Sequence, residues 1–174
     1  LKENLAAALL YSSDWHLKNK ENNAPLYNAL IDPMCGSGTF VIEAADIANG
    51  LQAGRSRSFA FEQLASFDAD KWAEMRSAAT MPKPAHRFFG SDRDAGAVRM
   101  STANATRSGI DDLCSFSCHG AAEVRPPEGP PGLVIVNPPY GARIGNKKLL
   151  FAVYGALGKT LLNEFKGWRV GIIK

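Results

Sequence analysis

The sequence predicts an α/β fold, a doubly wound and mostly parallel sheet with helices on its faces. Three observations carry this expectation. Short apolar runs alternate with stretches of helical spacing along most of the chain. A glycine-rich turn joins the first run directly to a helix. The fourth run, Leu133-Val134-Ile135-Val136, is wholly apolar, as expected of a parallel strand covered on both sides.

Leu5, Leu9 and Leu10, spaced by three to four and separated by alanines, predict a first helix ending near Trp15. Residues 14–25 are polar and Asn-rich, a loop. Ala29-Leu30-Ile31-Asp32 reads as a strand that stops at Pro33, since proline cannot continue a central ladder. Gly36-Ser37-Gly38-Thr39 is a tight turn, and residues 40–48 follow at helical spacing to Asn49-Gly50, a C-cap signal. Strand, glycine turn and helix together form the first unit of a nucleotide-binding sheet.

Residues 86–91 predict a second strand ending at Asp92, and 95–107 a helix closed by Ser108-Gly109. A third strand runs over 113–118. The proline-rich segment 120–132 is a surface loop, and the fourth strand follows it. A helix over 148–165 then leads into a fifth strand at 168–173. Residues 51–85 interrupt this rhythm, where two to six connecting residues are usual. The excursion holds Arg55, Arg57, Phe59, Phe61, Phe67 and Trp72, with a helix expected over 68–79. Its aromatics are expected to pack on the core, in preference to Arg55 and Arg57 contacting RNA.

At 174 residues the chain suits one domain with a real core. Hydrophobic residues at 45% and charged residues at 21% exclude a disordered chain. No apolar run approaches the roughly 18 residues of a membrane span, and the N-terminal residues show no basic-then-apolar signal pattern. Cys35, Cys114 and Cys118 fit neither a disulfide framework nor zinc spacing, so no metal is expected and a reduced, cytoplasmic setting is the simplest expectation. A net charge of +3 is compatible with a polyanionic partner but does not require one. Leu1 opens directly in a helical pattern and Lys174 follows an apolar run, so the sequence reads as a piece of a longer protein.

Asp32-Pro33-Met34-Cys35-Gly36-Ser37-Gly38-Thr39 lies at the carboxyl end of the first strand, where open α/β sheets bind ligands. Its glycines let the backbone turn sharply and approach a ligand closely. No Gly-Lys-Ser/Thr follows, which excludes a nucleoside-triphosphate loop. Asp92, ending the second strand, is placed to accept hydrogen bonds from ribose hydroxyls; Asp94 is the substitute, and capping of the next helix is the plainer role for either. Asn137-Pro138-Pro139-Tyr140-Gly141 follows the fourth strand. The prolines stiffen the backbone and hold Asn137 extended. The Asn137 side-chain oxygen and the Pro138 carbonyl then form a rigid pair of acceptors suited to an NH2 group, with the Tyr140 ring beside them to stack on a flat heterocycle.

These residues resemble known motifs. Asp32 to Phe40 is similar to motif I of class I methyltransferases in its DPxCGSGT form, and Asn137 to Tyr140 to the NPPY motif of amino-methyltransferases. With Leu1 to Ala8, Phe89-Gly90-Ser91-Asp92-Arg93-Asp94 and the NPPYGAR continuation, nearly the whole chain resembles the bacterial 23S ribosomal RNA guanine-N2 methyltransferases that carry a THUMP domain.

The resemblance implies a Rossmann-like methyltransferase sheet truncated after its fifth strand. Residues 1–174 would be a partial methyltransferase domain, with the upstream THUMP domain and a C-terminal hairpin missing. Strand five would then be an exposed apolar edge open to association. S-adenosylmethionine would lie over Asp32 to Thr39 with Asp92 on its ribose and Gly120 and Ala121 near its adenine, leaving S-adenosylhomocysteine as product. A guanine flipped out of 23S ribosomal RNA would present its N2 amine to Asn137 and Pro138, flanked by Pro139 and stacked on Tyr140. One departure stands out: Gly120 occupies the position of an acidic residue that contacts the adenine amine, leaving that contact to a backbone group or to Glu123. Arg143, Lys147 and Lys148 are either solvated surface or phosphate contacts. DNA adenine-N6 and protein glutamine-N5 methylation use the same NPPY motif and are the rival activities. A non-catalytic cofactor- or RNA-binding module is the rival of another class.

Overall fold

The computed structural model describes residues 1–21, 24–55, 57–77, 86–139 and 147–173. Helix α1 (Glu3–Ser12) packs on α2 (Thr39–Ala48), which follows strand β1 (Ala29–Asp32). A 3-10 turn (Ala60–Gln63) and α3 (Ala69–Ser77) lie within the excursion. Then come β2 (Arg87–Asp92), α4 (Ala95–Ser108), β3 (Cys114–Cys118), β4 (Leu133–Val136), α5 (Lys147–Glu164) and β5 (Arg169–Ile172).

The five strands form one sheet in the order β3-β2-β1-β4-β5, and every ladder is parallel. The doubly wound expectation holds, and this order makes the fold Rossmann-like. Winding reverses between β1 and β4, where Leu30 is paired with Phe88 on one side and Leu133 on the other. A crevice therefore opens beyond the carboxyl ends of these two strands, where ligands of such sheets bind. Every residue of β1 and β4 is buried, which is why β4 tolerates no polar side chain.

One sheet face carries the larger core, in which Leu30, Phe88, Leu133 and Ile135 meet Leu10, Phe40 and Val41 of the covering helices. The other face packs Ile31, Phe89 and Val134 against Leu161, Phe165 and Val124. Val124 belongs to the β3-to-β4 crossover, which contains no helix. That part of the sheet is roofed by a loop.

Three expectations are adjusted. Helix α1 stops at Ser12, short of Trp15, because Ser12 and Ser13 hydroxyls donate back to the carbonyls of Ala8 and Leu9 and the chain turns at Asp14 with φ +61°. Trp15 instead drops into the core, its indole N–H donating to the Ala44 carbonyl at 3.0 Å.

The aromatics of the excursion pack on one another and lie outside both core clusters. The Phe61 ring sits 5.4 Å from Phe59, 6.1 Å from Phe67 and 5.0 Å from Trp72. Arg55 is a tether: its guanidinium holds the Asp46 carboxylate at 2.7 and 2.9 Å and donates to the Ser108 carbonyl. Arg57 covers the Phe59 ring. The helix of this region runs over Ala69–Ser77, its start capped by Asp68; the end expected near 79 lies outside the described residues. As expected of an edge strand, β5 pairs only with β4 among the described residues, and Val170 and Ile172 are exposed.

Candidate active site

The site grows from the end of β1. Asp32 is buried, and its carboxylate accepts the Met34 N–H at 3.0 Å, which starts the turn. Gly38 adopts φ +80° as the N-cap of α2, and a Cβ there would stand 2.8 Å from Ser101 Cβ and 3.2 Å from the Phe116 ring. Backbone geometry and space both demand glycine. The turn is stitched to β2: the Cys35 N–H donates to the Ser91 carbonyl at 2.9 Å, and the Gly36 N–H to the Asp92 carboxylate at 3.0 Å. Asn104 of α4 holds the Ser37 carbonyl at 2.9 Å.

The structure separates the two aspartates that follow β2. Asp94 caps α4, accepting the Gly96 N–H at 2.7 Å. Asp92 accepts from Gly36 with one oxygen and from Asp94 N–H with the other, so it joins the glycine turn to the helix start. Each carboxylate oxygen retains acceptor capacity for a ligand.

These segments enclose a cavity of about 630 Å³ at the reversal point of the sheet. Residues 32–37 and 92–94 line it, with Gly120, Ala121, Thr39, Asn137 and Pro139. Three strand ends thus bring the three sequence-predicted groups together. Gly38 and Pro138 are off its wall: Gly38 serves as the helix cap, and the Pro138 side chain is fully buried. Tyr140 and Arg143 lie outside the described residues, as do the side chains of Lys147 and Lys148. At the Gly120 position, the Glu123 carboxylate accepts the Gly120 N–H at 3.1 Å and is not on the cavity wall. Of the two expected substitutes, the backbone at Gly120 is on the cavity wall and the Glu123 side chain is not.

Sequence reasoning missed several contributors. Arg93 puts a cation on a wall that also carries three aspartates, and Val153 and Ala156 of α5 close the far side. Gly90 and Phe116 were also missed. A Cβ on Gly90 would come within 2.7 Å of the Phe116 ring and 3.1 Å of Cys35 Cβ, so the ring wedges beneath the turn from β3. The spacing of three between Val153 and Ala156 was readable as one helix face. Nothing local marks the close approach of Gly90 to Phe116.

Burial pushes the Asp32 carboxyl up to about 7; the Met34 N–H opposes this and the charge of Asp92 adds to it. Burial also pushes the Cys35 thiol up to about 12, helped by the charges of Asp32 and Asp92. Cys35 is therefore a neutral thiol, unsuited to act as a nucleophile. A cavity of this size suits a nucleoside-like ligand. Its carboxylates favour one bearing positive charge and hydroxyls, held at a strand-end crevice.

Parallel sheet, winding reversal and glycine-turn cavity define a Rossmann-like domain of the class I methyltransferase type. The chain belongs to the RMKL-like methyltransferase domain family, UPF0020, which it matches over residues 1–174. It is 40% identical over 180 residues to the ribosomal RNA large subunit methyltransferase K/L of Aliivibrio fischeri strain MJ11, covering 99% of this chain and 24% of that protein. The protein of the same name from Chromohalobacter salexigens is 39% identical over 181 residues, with the same coverage of 99% and 24%. The chain thus spans about a quarter of the length of these relatives. Among solved structures, SMU.472 in complex with SAH superposes with a TM-score of 0.84 at 31% identity, covering 98% of this chain and 43% of that one. A Listeria monocytogenes protein, described as a predicted N6-adenine-specific DNA methylase, superposes with a TM-score of 0.77 at 29% identity, covering 99% and 43%. No described helix is long and apolar enough to cross a membrane.

Proposed function

We propose that this domain binds S-adenosylmethionine in the 630 Å³ cavity and directs methylation of the exocyclic N2 amine of a guanine in large-subunit ribosomal RNA. The observation that carries the reading is convergence: Asn137, from the end of β4, lines the same cavity as the glycine turn and Asp92. The donor set fits the cofactor. Asp32 and Asp92 match its cationic groups and ribose hydroxyls, and the wall is open at Gly36, where a Cβ would meet nothing within 4 Å. The SAH bound to SMU.472 and the names of the K/L relatives support cofactor and RNA class respectively. The choice of guanine N2 rests on the motif resemblance.

When bound, the cofactor supplies an electrophilic methyl group on a sulfonium. The chain's own residues do the rest. The Asn137 amide oxygen and the Pro138 carbonyl would accept the two amine hydrogens, which favours a pyramidal nitrogen. Its lone pair would take the methyl carbon as the bond to sulfur breaks; the thioether product would leave and the extra amine proton would pass to solvent water. Asp92, tied to the turn through Gly36, keeps the cofactor cradle in register with Asn137. Orientation of two reactants in one desolvated cavity is the main source of rate. Tyr140 is assigned the stacking role from its sequence position.

In the full-length protein, Asn137→Ala is expected to leave S-adenosylmethionine affinity within about threefold while lowering turnover on ribosomal RNA by roughly 10²-fold or more. Calorimetry and methyl transfer to ribosomal RNA, DNA and protein substrates measure both. Unchanged turnover would remove Asn137 from the mechanism. Transfer confined to adenine in DNA or to glutamine would replace the substrate.

A further inference from the structure

A second pocket, of about 200 Å³, lies against the sheet beneath the helix-free β3-to-β4 crossover. Strand register explains its chemistry. Ser91 of β2 pairs with Ser117 of β3, so their side chains sit side by side on one face, and both line the pocket. His119 follows two residues on, its Nε2 2.9 Å from the Ser117 hydroxyl, and Arg125 enters from the loop above. A sheet face under a roof is ordinarily apolar, as Phe89 and Val124 are here. A row of hydroxyls on it is not explained by packing.

Ser91 is 97% buried, being 3% exposed, and its hydroxyl has no hydrogen-bond partner among the described residues. Buried polar groups are normally satisfied, so an orphan lining a pocket calls for a ligand. Every polar side chain around the pocket is able to donate: two hydroxyls, an imidazole and a guanidinium. Among the described residues no carboxylate lines it. Of the nearby acids, Glu123 accepts the Gly120 N–H, and Glu164 makes a long, solvent-exposed ion pair with Arg125 Nε at 3.7 Å from outside the pocket wall. Arg125 Nη1 holds the Ala122 and Val124 carbonyls, which shapes the roof and leaves Nη2 uncommitted among the described residues. The Ser117 hydroxyl and His119 Nε2 share one hydrogen bond in which either atom can donate, and His119 Nδ1 lies 3.4 Å from the Gly120 carbonyl.

We infer that this pocket binds a small oxyanion of the phosphate class, with Ser91 and Arg125 as its donors and the Ser117–His119 pair beside them. The site is separate from the cofactor cavity, since the two share no lining residue. Two sources carry this chemistry, free phosphate and the phosphodiester of a bound nucleic acid.

The test is isothermal titration of inorganic phosphate, and separately of dimethyl phosphate, into the full-length protein at matched chloride ionic strength. Ser91→Ala and Arg125→Gln are each expected to weaken binding at least tenfold. A phosphorus NMR line, broadened by the parent protein and sharpened in both variants, gives a second readout. Binding of inorganic phosphate alone identifies a free anion; binding of both probes identifies a backbone phosphate. If neither probe binds, or if both variants bind as tightly as the parent, the pocket holds only water and the inference fails.

Discussion

The glycine turn after β1 and the 51–77 excursion are held in opposite ways. The turn is fixed from three sides at once: by the buried Asp32 beneath it, by backbone and carboxylate bonds from β2, and by Phe116 reaching across from β3. The excursion stacks its aromatics mainly on themselves and is anchored to the sheet domain by Arg55, through Asp46 and Ser108. Arg76 adds an internal clasp by donating to the Arg55 carbonyl. Precision belongs where strand ends converge. Among the described residues the excursion is held to the domain mainly by Arg55 and by Leu51 packed on the core, so its movement is expected to leave the cavity undisturbed.

The contrast is sharpened most by Gly38→Ala, which adds a Cβ 2.8 Å from Ser101 Cβ at a residue with φ +80°. Strain and overlap together are expected to cost about 2–4 kcal/mol and to weaken S-adenosylmethionine binding by roughly 10²-fold. Thermal unfolding and calorimetry measure the two effects. Near-parental affinity would show that the turn is less rigidly placed than its bonds imply.

A smaller effect comes from pH. Asp32 holds its proton up to about 7 when folded, against an ordinary value of 3.8. Between these values the folded domain keeps a proton that the unfolded chain has released, so its stability falls as pH rises from about 4 to 7. Glu43, half-buried beside Asp46 and Glu3 and also near 7, acts in the same direction. Asp32→Asn should make this slope shallower in denaturant titrations. A cationic ligand favours the ionised carboxylate, so its affinity should climb with pH to about 7 and then level. A flat profile would detach Asp32 from the ligand.

The smallest effect is expected at the tether. Arg55→Ala removes a partly exposed ion pair, costing about 1 kcal/mol after solvent screening. Amide exchange over 51–77 should quicken while cofactor affinity stays within about twofold. A larger change in affinity would mean that the two regions are coupled.

The fold was largely legible because its signals are local. A wholly apolar run, a glycine turn and a helical stripe each report their own backbone state, so β1, α2 and β4 stand where the pattern put them. The ends of elements were less legible. Trp15 reads as the last helical residue, yet the Ser12 and Ser13 hydroxyls end α1 early. The excursion's aromatics read as core because hydrophobicity does not say which surface it will cover.

The sequence by itself determined the parallel sheet, the glycine turn after β1, and the Asp32, Asp92 and Asn137 positions at three strand ends. Strand periodicity and turn chemistry act within a few residues and are written in the chain. Only the tertiary structure decided that Asp94 caps α4 while Asp92 braces the turn, and that Gly90 is small to admit Phe116. Nor is it local that Arg55 is a tether and that the Ser91 hydroxyl lies buried without a partner among the described residues. Each of these depends on a neighbour brought close by sheet register, a through-space fact that no local pattern encodes.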